Sequence, residues 1–405
     1  MKYFKNTELA KIYNVSEKSV RNWIQAAREG KLDLELYEKS ERFWVANTTK
    51  NTAIIELQVK KGKKFKNQRG RKVISPSKEF YEMYNKNQIL DIISNLTIHG
   101  ETPLQYTYVD GGADDWDKYA QRLIKEAAPN ILNRTIEILE TTSGTVGGLL
   151  SGYRKVNIID IGPGNGLPIR STIDRLNKEG RLKRYIPIDI STDMLSILER
   201  NIKHWFGGSV KYEPAIKDIS HERFNDIIAN DLMDSETINV VFLLGGTLSN
   251  FRSPAQVLQV IRDSMGLNDL FICSGYLDTP KTRRYFDYYS SNKRKVPVQD
   301  GLILDFLNID ESLYNVEQLF DEENRARIIR VRPKIDIAIR FDLDGASKTI
   351  ELVKNEPILI WRHWHRAALE TLQLLDANGF DIMQATKSRD QQYLVTVSKL
   401  KKTQE

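Results

Sequence analysis

The chain has 405 residues, 28% of them charged and 40% hydrophobic, so it can bury two or three domain cores without covalent staples. The single cysteine, Cys273, excludes an intrachain disulfide and a cysteine-clustered zinc site, no apolar run is long enough to cross a bilayer, and the opening MKYFKNTELAKIY lacks an apolar signal core. A reducing, cytoplasmic setting and no metal site are therefore expected, and the charge of +6 is uneven: residues 1–75 hold 18 Lys+Arg against 8 Asp+Glu, which leaves −4 for the rest and directs the N-terminal end toward a polyanion.

In chain order, Thr7 can cap a first helix over 8–13, and Asn14-Val15-Ser16 supplies a turn. Ser16 then starts a second helix with Val20, Trp23, Ile24 and Ala27 at core spacing. Its outer face carries Lys18, Ser19, Arg21, Asn22 and Gln25, residue types suited to base edges in a major groove. Leu34, Leu36 and Phe43-Trp44-Val45 predict a two-stranded wing that presents Lys39 and Arg42 to phosphates. The segment 60–72, KKGKKFKNQRGRK, has eight basic residues and reads as a linker or arm, with Lys63, Lys64, Arg69 and Arg71 as phosphate contacts. The predicted domains are a DNA-binding helix-turn-helix over 1–58, similar to MerR and excisionase modules, and a basic linker over 59–75. A connecting helix over 76–100 follows, within which 77–96 is helical.

From 101 onward, apolar runs of strand length alternate with helical stretches: VNIIDIG (156–162), RYIPIDIS (184–191), VKYEPAI (210–216), INVVFLLGG (238–246) and DLFICSGY (269–276). This βαβ alternation predicts an α/β fold with a parallel sheet buried on both faces. A core over 101–277 is expected, then an antiparallel lobe with closing strands over 278–405. Within that lobe Asp344-Gly345 forms a hairpin turn, 361–378 is a helix that includes His363 and His365 as packed residues, and QQYLVTVSKL (391–400) is a last strand.

IIDIGPGNG (158–166) runs a strand directly into Gly162, Gly164 and Gly166. Such glycines let the backbone turn and approach a ligand, but dinucleotide-binding folds share them. The spacing is GxGxG rather than GxGxxG, and Asp160 suits a cationic sulfonium better than a pyrophosphate. Asp189 ends the second strand, where it can accept both hydroxyls of a ribose, and Asp218 with Ile219 follows the third, where an adenine would lie. Together these residues favour S-adenosylmethionine over a nicotinamide or flavin cofactor.

Four stretches resemble the histidine-specific methyltransferase family, which includes the ergothioneine-pathway histidine Nα-methyltransferase: PLQYTYVDGG (103–112), IIDIGPGNG, YIPIDIS and FLLGGTLSNF (242–251). The resemblance implies a class I Rossmann-like methyltransferase with an additional substrate lobe, nitrogen as methyl acceptor, and S-adenosylmethionine contacts at Gly162, Asp189, Asp218, Ile219 and Tyr108. It also implies acceptor contacts at Tyr106, Thr247, Asn250 and Tyr289, or the neighbouring Tyr288. Two positions depart from the family: its lysine six residues after the first glycine is Pro168, and its Glu-x-Ser clamp for imidazole is replaced by Trp361-Arg362-His363. An acceptor other than free histidine is therefore expected.

Methylation of DNA bases is the rival chemistry. Cys273 lies within a strand rather than after a proline, and the position of a (D/N)PP(Y/F) loop reads GGTLSN, so neither common route has its residues. A second alternative is a DNA-binding regulator whose methyltransferase fold binds ligand without turnover, and for residues 1–75 RNA binding or protein docking stay open beside DNA.

Overall fold

The computed structural model describes residues 3–13, 15, 17–39, 42–68, 71–108, 112–126, 130–232, 234–285, 295–343 and 345–402. The chain divides into two compact units, Met1–Val73 with Ile335–Ala338, and Ile74–Lys334 with Ile339–Glu405.

The first unit runs β1 (Tyr3–Phe4), α1 (Asn6–Ile12), α2 (Glu17–Arg28), β2 (Leu36–Lys39), β3 (Arg42–Ala46), α3 (Thr49–Gln68) and most of β4 (Arg71–Ile74). β2 and β3 pair antiparallel as the expected two strands, and β1 adds a third, so the sheet is three-stranded in the order β1-β3-β2. Leu9 and Ala10 of α1, Val20 and Ile24 of α2, Val45 of β3 and Ile55 of α3 share one core. Asn51 is buried on α3, where its amide donates to Ala46 O at 2.8 Å and accepts from Glu35 N–H at 2.9 Å, tying α3 to the wing. The basic segment expected as a linker from 59 is helical to Gln68, continuing α3. Lysine is a good helix former, so a helix anchored by Ile55 propagates into it.

The second unit opens with α4 (Lys78–Met83) and α5 (Lys86–Ser94), two helices where one was expected. The break follows from Asn85, whose side chain accepts from Gln88 N–H while Gln88 accepts from Asn85 N–H, a reciprocal cap. After α6 (Gly112–Lys125) and α7 (Ile131–Leu150) come β5 (Lys155–Ile161), α8 (Arg170–Lys178), β6 (Leu182–Asp189), α9 (Thr192–Phe206), β7 (Ala215–Ile216), α10 (Asn225–Leu232), β8 (Thr237–Leu243), α11 (Pro254–Arg262) and β9 (Leu270–Tyr276). α12 (Pro280–Tyr285) and α13 (Val298–Phe306) lead into β10 (Tyr314–Asp321), β11 (Ala326–Pro333), β12 (Asp336–Leu343), β13 (Ala346–Leu352) and β14 (Ile358–Trp364). The chain closes with α14 (Ala368–Ala377), β15 (Phe380–Lys387) and β16 (Tyr393–Leu400).

Among the described residues a seven-stranded sheet has the order β15-β16-β9-β8-β5-β6-β7, parallel from β9 to β7, with β15 and β16 antiparallel. Alternate residues enter two cores: Val240 and Phe242 of β8 face one, Val241 and Leu243 the other. β7 is shorter than the expected strand over 210–216: Tyr185 donates to Lys211 O and accepts from Glu213 N–H, but at the next rung β6 has Pro187, which offers no N–H. Tyr212 is joined to Tyr185 only by an isolated bridge.

β10, β11 and β14 form an antiparallel lobe. Here the sequence reading is corrected: Trp361, Arg362 and His363 lie on β14, and the helix begins at Ala368. Ile358, Ile360, His363 and His365 are buried among less buried neighbours, close to a period of two, and a register shift at Ile329/Arg330 takes up the irregularity. Of the expected hairpin turn, Asp344 lies outside the described residues, and Gly345 has a φ of +90°.

Candidate active site

The C-terminal ends of β5, β6, β8 and β9 open into a cavity of about 890 Å³, closed on its other side by the turn at 104–107, α13, β11 and β14. In a parallel sheet this is the edge at which crossover loops leave space for a ligand. Asp160, Gly162, Gly164, Asp189, Asp218 and Ile219 all line it. β6 lies between β5 and β7, pairing Ile161 with Ile188 and Asp189 with Ile216, so the carboxylates follow one sheet edge.

Each glycine of the loop has its own reason to be glycine. All three adopt left-handed φ values, +60° at Gly162, +55° at Gly164 and +78° at Gly166. A Cβ on Gly162 would lie 3.4 Å from the Thr247 methyl. One on Gly164 would lie 2.2 Å from the Trp116 ring, and one on Gly166 would lie 2.5 Å from Leu198. Gly166 is absent from the cavity wall, so it packs the loop on α9.

The carboxylates are costly to ionise, which suits a cationic ligand. Asp160 is fully buried and accepts from the Tyr185 hydroxyl at 2.9 Å. Burial pushes it up to about 7, against that hydrogen bond, and the Asp189 charge adds to the rise. Burial likewise raises Asp189 to about 6, although it accepts the Ser191 N–H at 2.9 Å. Asp218 accepts from Ser220 N–H at 2.9 Å and from Ser220 Oγ at 2.6 Å, with Gln105 Nε2 at 3.5 Å. Tyr108 lines the cavity, and its phenol is driven up by burial and by the charges of Asp300 and Asp189, so it stays a donor at neutral pH. A glycine loop open to the cavity and carboxylate acceptors for hydroxyls fit S-adenosylmethionine.

Thr247, which lies against Gly162, and Asn250 follow β8 and reach the wall. Asn250 does not cap α11, which is capped by Ser253. Instead its Oδ1 meets His363 Nδ1 at 3.0 Å. Because Oδ1 only accepts, Nδ1 carries the hydrogen, and burial holds His363 well below its ordinary pKa and neutral. Gly246 lets this contact form, since its Cβ position is 3.2 Å from the His363 ring. Trp361 and Arg362 line the same wall, and Arg362 is paired with Glu101.

Tyr106 is not on the cavity wall. It is buried against Tyr84, whose hydroxyl donates to its carbonyl at 2.7 Å, and its own hydroxyl engages Asp91. Its even-handed Tyr-x-Tyr spacing with Tyr108 is a 3-10 turn that points the two rings apart in role. Tyr288 and Tyr289 lie outside the described residues. Sequence reasoning missed Trp116, Gln105, Arg327 and Asp300, all of them on the wall. None left a local signal: Asp300 is one of two carboxylates, with Asp305, in the helix VQDGLILDF. Cys273 is buried in β9 and its thiol is pushed up to about 12, which removes it as a nucleophile.

In the first unit, Lys18, Arg21, Asn22 and Gln25 are exposed on one face of α2, and Ser19 is half-buried beside them. Gln25 also donates to Glu29 at 2.8 Å. Arg71 is half-buried on β4. The side chains of Lys39, Arg42, Lys63, Lys64 and Arg69 lie outside the described set.

Residues 92–288 match the family model described as "Histidine-specific methyltransferase, SAM-dependent". No curated protein matches the chain. Among solved structures, it is similar to an S-adenosylmethionine-dependent methyltransferase from Clostridium acetobutylicum, at 12% identity over 71% of this chain and 99% of that one, TM-score 0.40. It is also similar to the glycopeptide N-methyltransferase MtfA complexed with sinefungin, at 12% identity over 77% and 97%, TM-score 0.34. A third is the 1,6-didemethyltoxoflavin-N1-methyltransferase of Burkholderia thailandensis, at 12% identity over 76% and 94%, TM-score 0.37. The segment 92–288 is thus a methyltransferase domain, with S-adenosylmethionine as its cofactor.

Proposed function

We propose that the chain is an N-methyltransferase acting on an amine other than free histidine, joined to an N-terminal unit that binds DNA. The observation that carries the first half is that one cavity is lined by Gly162, Asp189 and Asp218 and also by Asn250. Bound S-adenosylmethionine supplies an activated methyl group. Asp189 accepts the ribose hydroxyls, Ile219 packs on the adenine, the Gly162–Gly164 backbone lies close to the ligand, and Asp160 offers negative charge to the sulfonium. Thr247 and Asn250 orient the acceptor, and the lobe excludes water from it.

Free histidine is disfavoured by what stands at the clamp. Arg362 already spends its charge on Glu101, and His363 already bonds Asn250, so an incoming imidazole meets neither a carboxylate nor a serine there. The DNA half rests on the i, i+3, i+4, i+7 face of Lys18, Arg21, Asn22 and Gln25 in a unit that also carries the β2–β3 hairpin, within a segment of net +10. α2 would enter the major groove, and Lys39, Arg42 and the 60–72 segment would meet phosphates.

Incubating the full chain with S-adenosylmethionine and an amine panel, read by mass spectrometry for a gain of one methyl, tests the first half. Cofactor binding with no turnover on any amine would favour a ligand-sensing regulator. Anisotropy on duplex DNA at two salt concentrations tests the second half. Arg21→Ala should cost about 1–3 kcal/mol on a preferred site only, and salt-insensitive or absent binding would contradict the DNA reading.

A further inference from the structure

All but one of the carboxylates on the cavity wall have a partner. Asp160 is engaged by Tyr185, Asp189 by the Ser191 N–H, Asp218 by Ser220, Glu101 by Arg362, Asp91 by Asn95 and Asp115 by Lys118. Asp300 is the exception. It lies in the first turn of α13, is 7% exposed and faces the cavity, yet no hydrogen bond or ion pair reaches its carboxylate among the described residues. A buried carboxylate without a partner costs several kcal/mol in general terms, and neighbouring apolar positions of the same helix, Ile303 and Leu304, show that the packing there has no need of it. Such a group is retained where a ligand completes it.

The geometry points to Asp300 as the anchor of the acceptor's ammonium group and the acceptor of its proton, an inference that rests on the methyltransferase reading. Its place in the cavity supports this. α13 packs against the turn at 104–107 and against β14, so it brings Asp300 to the wall beside the strand that carries Trp361, and the wall also holds Tyr276 and Phe251, aromatic faces that suit the body of an arylalkylamine. An amine in water is mostly protonated and has no lone pair to attack with. Asp300 first pairs with R–NH₃⁺ and then takes one proton, leaving R–NH₂. The nitrogen lone pair forms the new N–C bond as the C–S bond breaks, and the sulfur keeps the bonding electrons. The product leaves as R–NH₂⁺–CH₃, and the proton on Asp300 passes to solvent. Burial lifts Asp300 to about 7, so at neutral pH it can hold either state.

The test is calorimetry on the full chain saturated with S-adenosylhomocysteine, using phenethylamine and its uncharged analogue phenethyl alcohol as probes. Wild type should bind the amine at least tenfold more tightly than the alcohol. Asp300→Asn, which keeps shape and removes charge, should erase that preference while leaving alcohol affinity within about twofold. Asp300→Ser is the second variant should the first not fold. Amine affinity that is equal in wild type and variant, or no amine binding by wild type, overturns the inference. If S-adenosylhomocysteine itself fails to bind wild type, the methyltransferase reading has failed instead.

Discussion

The two ends of the cavity are built in different ways. The cofactor end comes from the tips of adjacent parallel strands, and each of its residues sits in a short local motif: Gly162 and Gly164 directly after β5, Asp189 at the end of β6, Asp218 just past β7. The end proposed for the acceptor draws on β11, β14, α13 and the loop after β8, parts that lie far apart in sequence. The first end is held by backbone conformation, the second by pairs of side chains such as Asn250–His363 and Glu101–Arg362. Parts fixed by turns constrain their own sequence. Parts fixed by pairing can exchange both partners and so change substrate while the cofactor end stays as it is.

Substitution of the loop glycines should break the cofactor end most severely. Gly164→Val adds a left-handed side chain, about 1–2 kcal/mol, and drives it into Trp116, about 1–3 kcal/mol more. It should lower thermal stability markedly and remove S-adenosylhomocysteine binding. Gly180 has a similar φ of +66° but open space around its Cβ position. Gly180→Ala should cost only the backbone part, about 1–2 kcal/mol, and leave binding intact. Equal effects of the two would show that Trp116 does not pack on the loop.

Acidity offers the next comparison. Asp160, Asp189 and Asp300 stand at about 7, 6 and 7, above an unfolded value near 3.9. The folded protein therefore binds more protons than the unfolded chain in that window. The buried histidines His363 and His365 are held below their ordinary value and act oppositely up to about pH 6.5, so stability of the ligand-free protein should fall only as pH rises from about 6.5 to 8, and level off above it. The ion-paired carboxylates with lowered values, such as Asp278 and Glu370, act oppositely, but only as pH falls toward the acid range. Saturating S-adenosylmethionine should flatten the slope, because its cation favours the ionised forms. Thermal melts across pH with and without ligand check this, and a ligand-free melting temperature that rises over the window contradicts it.

The smallest expected effect separates the two ends. Asn250→Ala should change S-adenosylhomocysteine affinity less than about twofold, under ~0.5 kcal/mol, while turnover on any accepted amine is lost. A tenfold loss of cofactor affinity would place Asn250 at the cofactor end.

What was legible in the sequence follows the same division. The parallel sheet, the wing and the glycine-carboxylate set were readable because periodicity and turn chemistry are local. The placing of WRHWH on a strand was not, since aromatic and charged residues mask its period of two and only pairing with β11 fixes it. The length of β7 turned on Pro187 in the neighbouring strand, and the split between α4 and α5 on the reciprocal cap at Asn85. Asp300 was unreadable as a site residue, because nothing local distinguishes a helix-start aspartate facing solvent from one facing a cavity.

The central claim, that the glycine loop and its carboxylates form a nucleoside site for S-adenosylmethionine, is tested most directly by titrating wild type and Asp189→Ala with S-adenosylhomocysteine in a calorimeter. Loss of two charge-assisted hydrogen bonds should weaken binding by roughly 1.5–3 kcal/mol, about tenfold to over a hundredfold, in a variant that still melts cooperatively. Unchanged affinity in a folded Asp189→Ala protein would contradict the account.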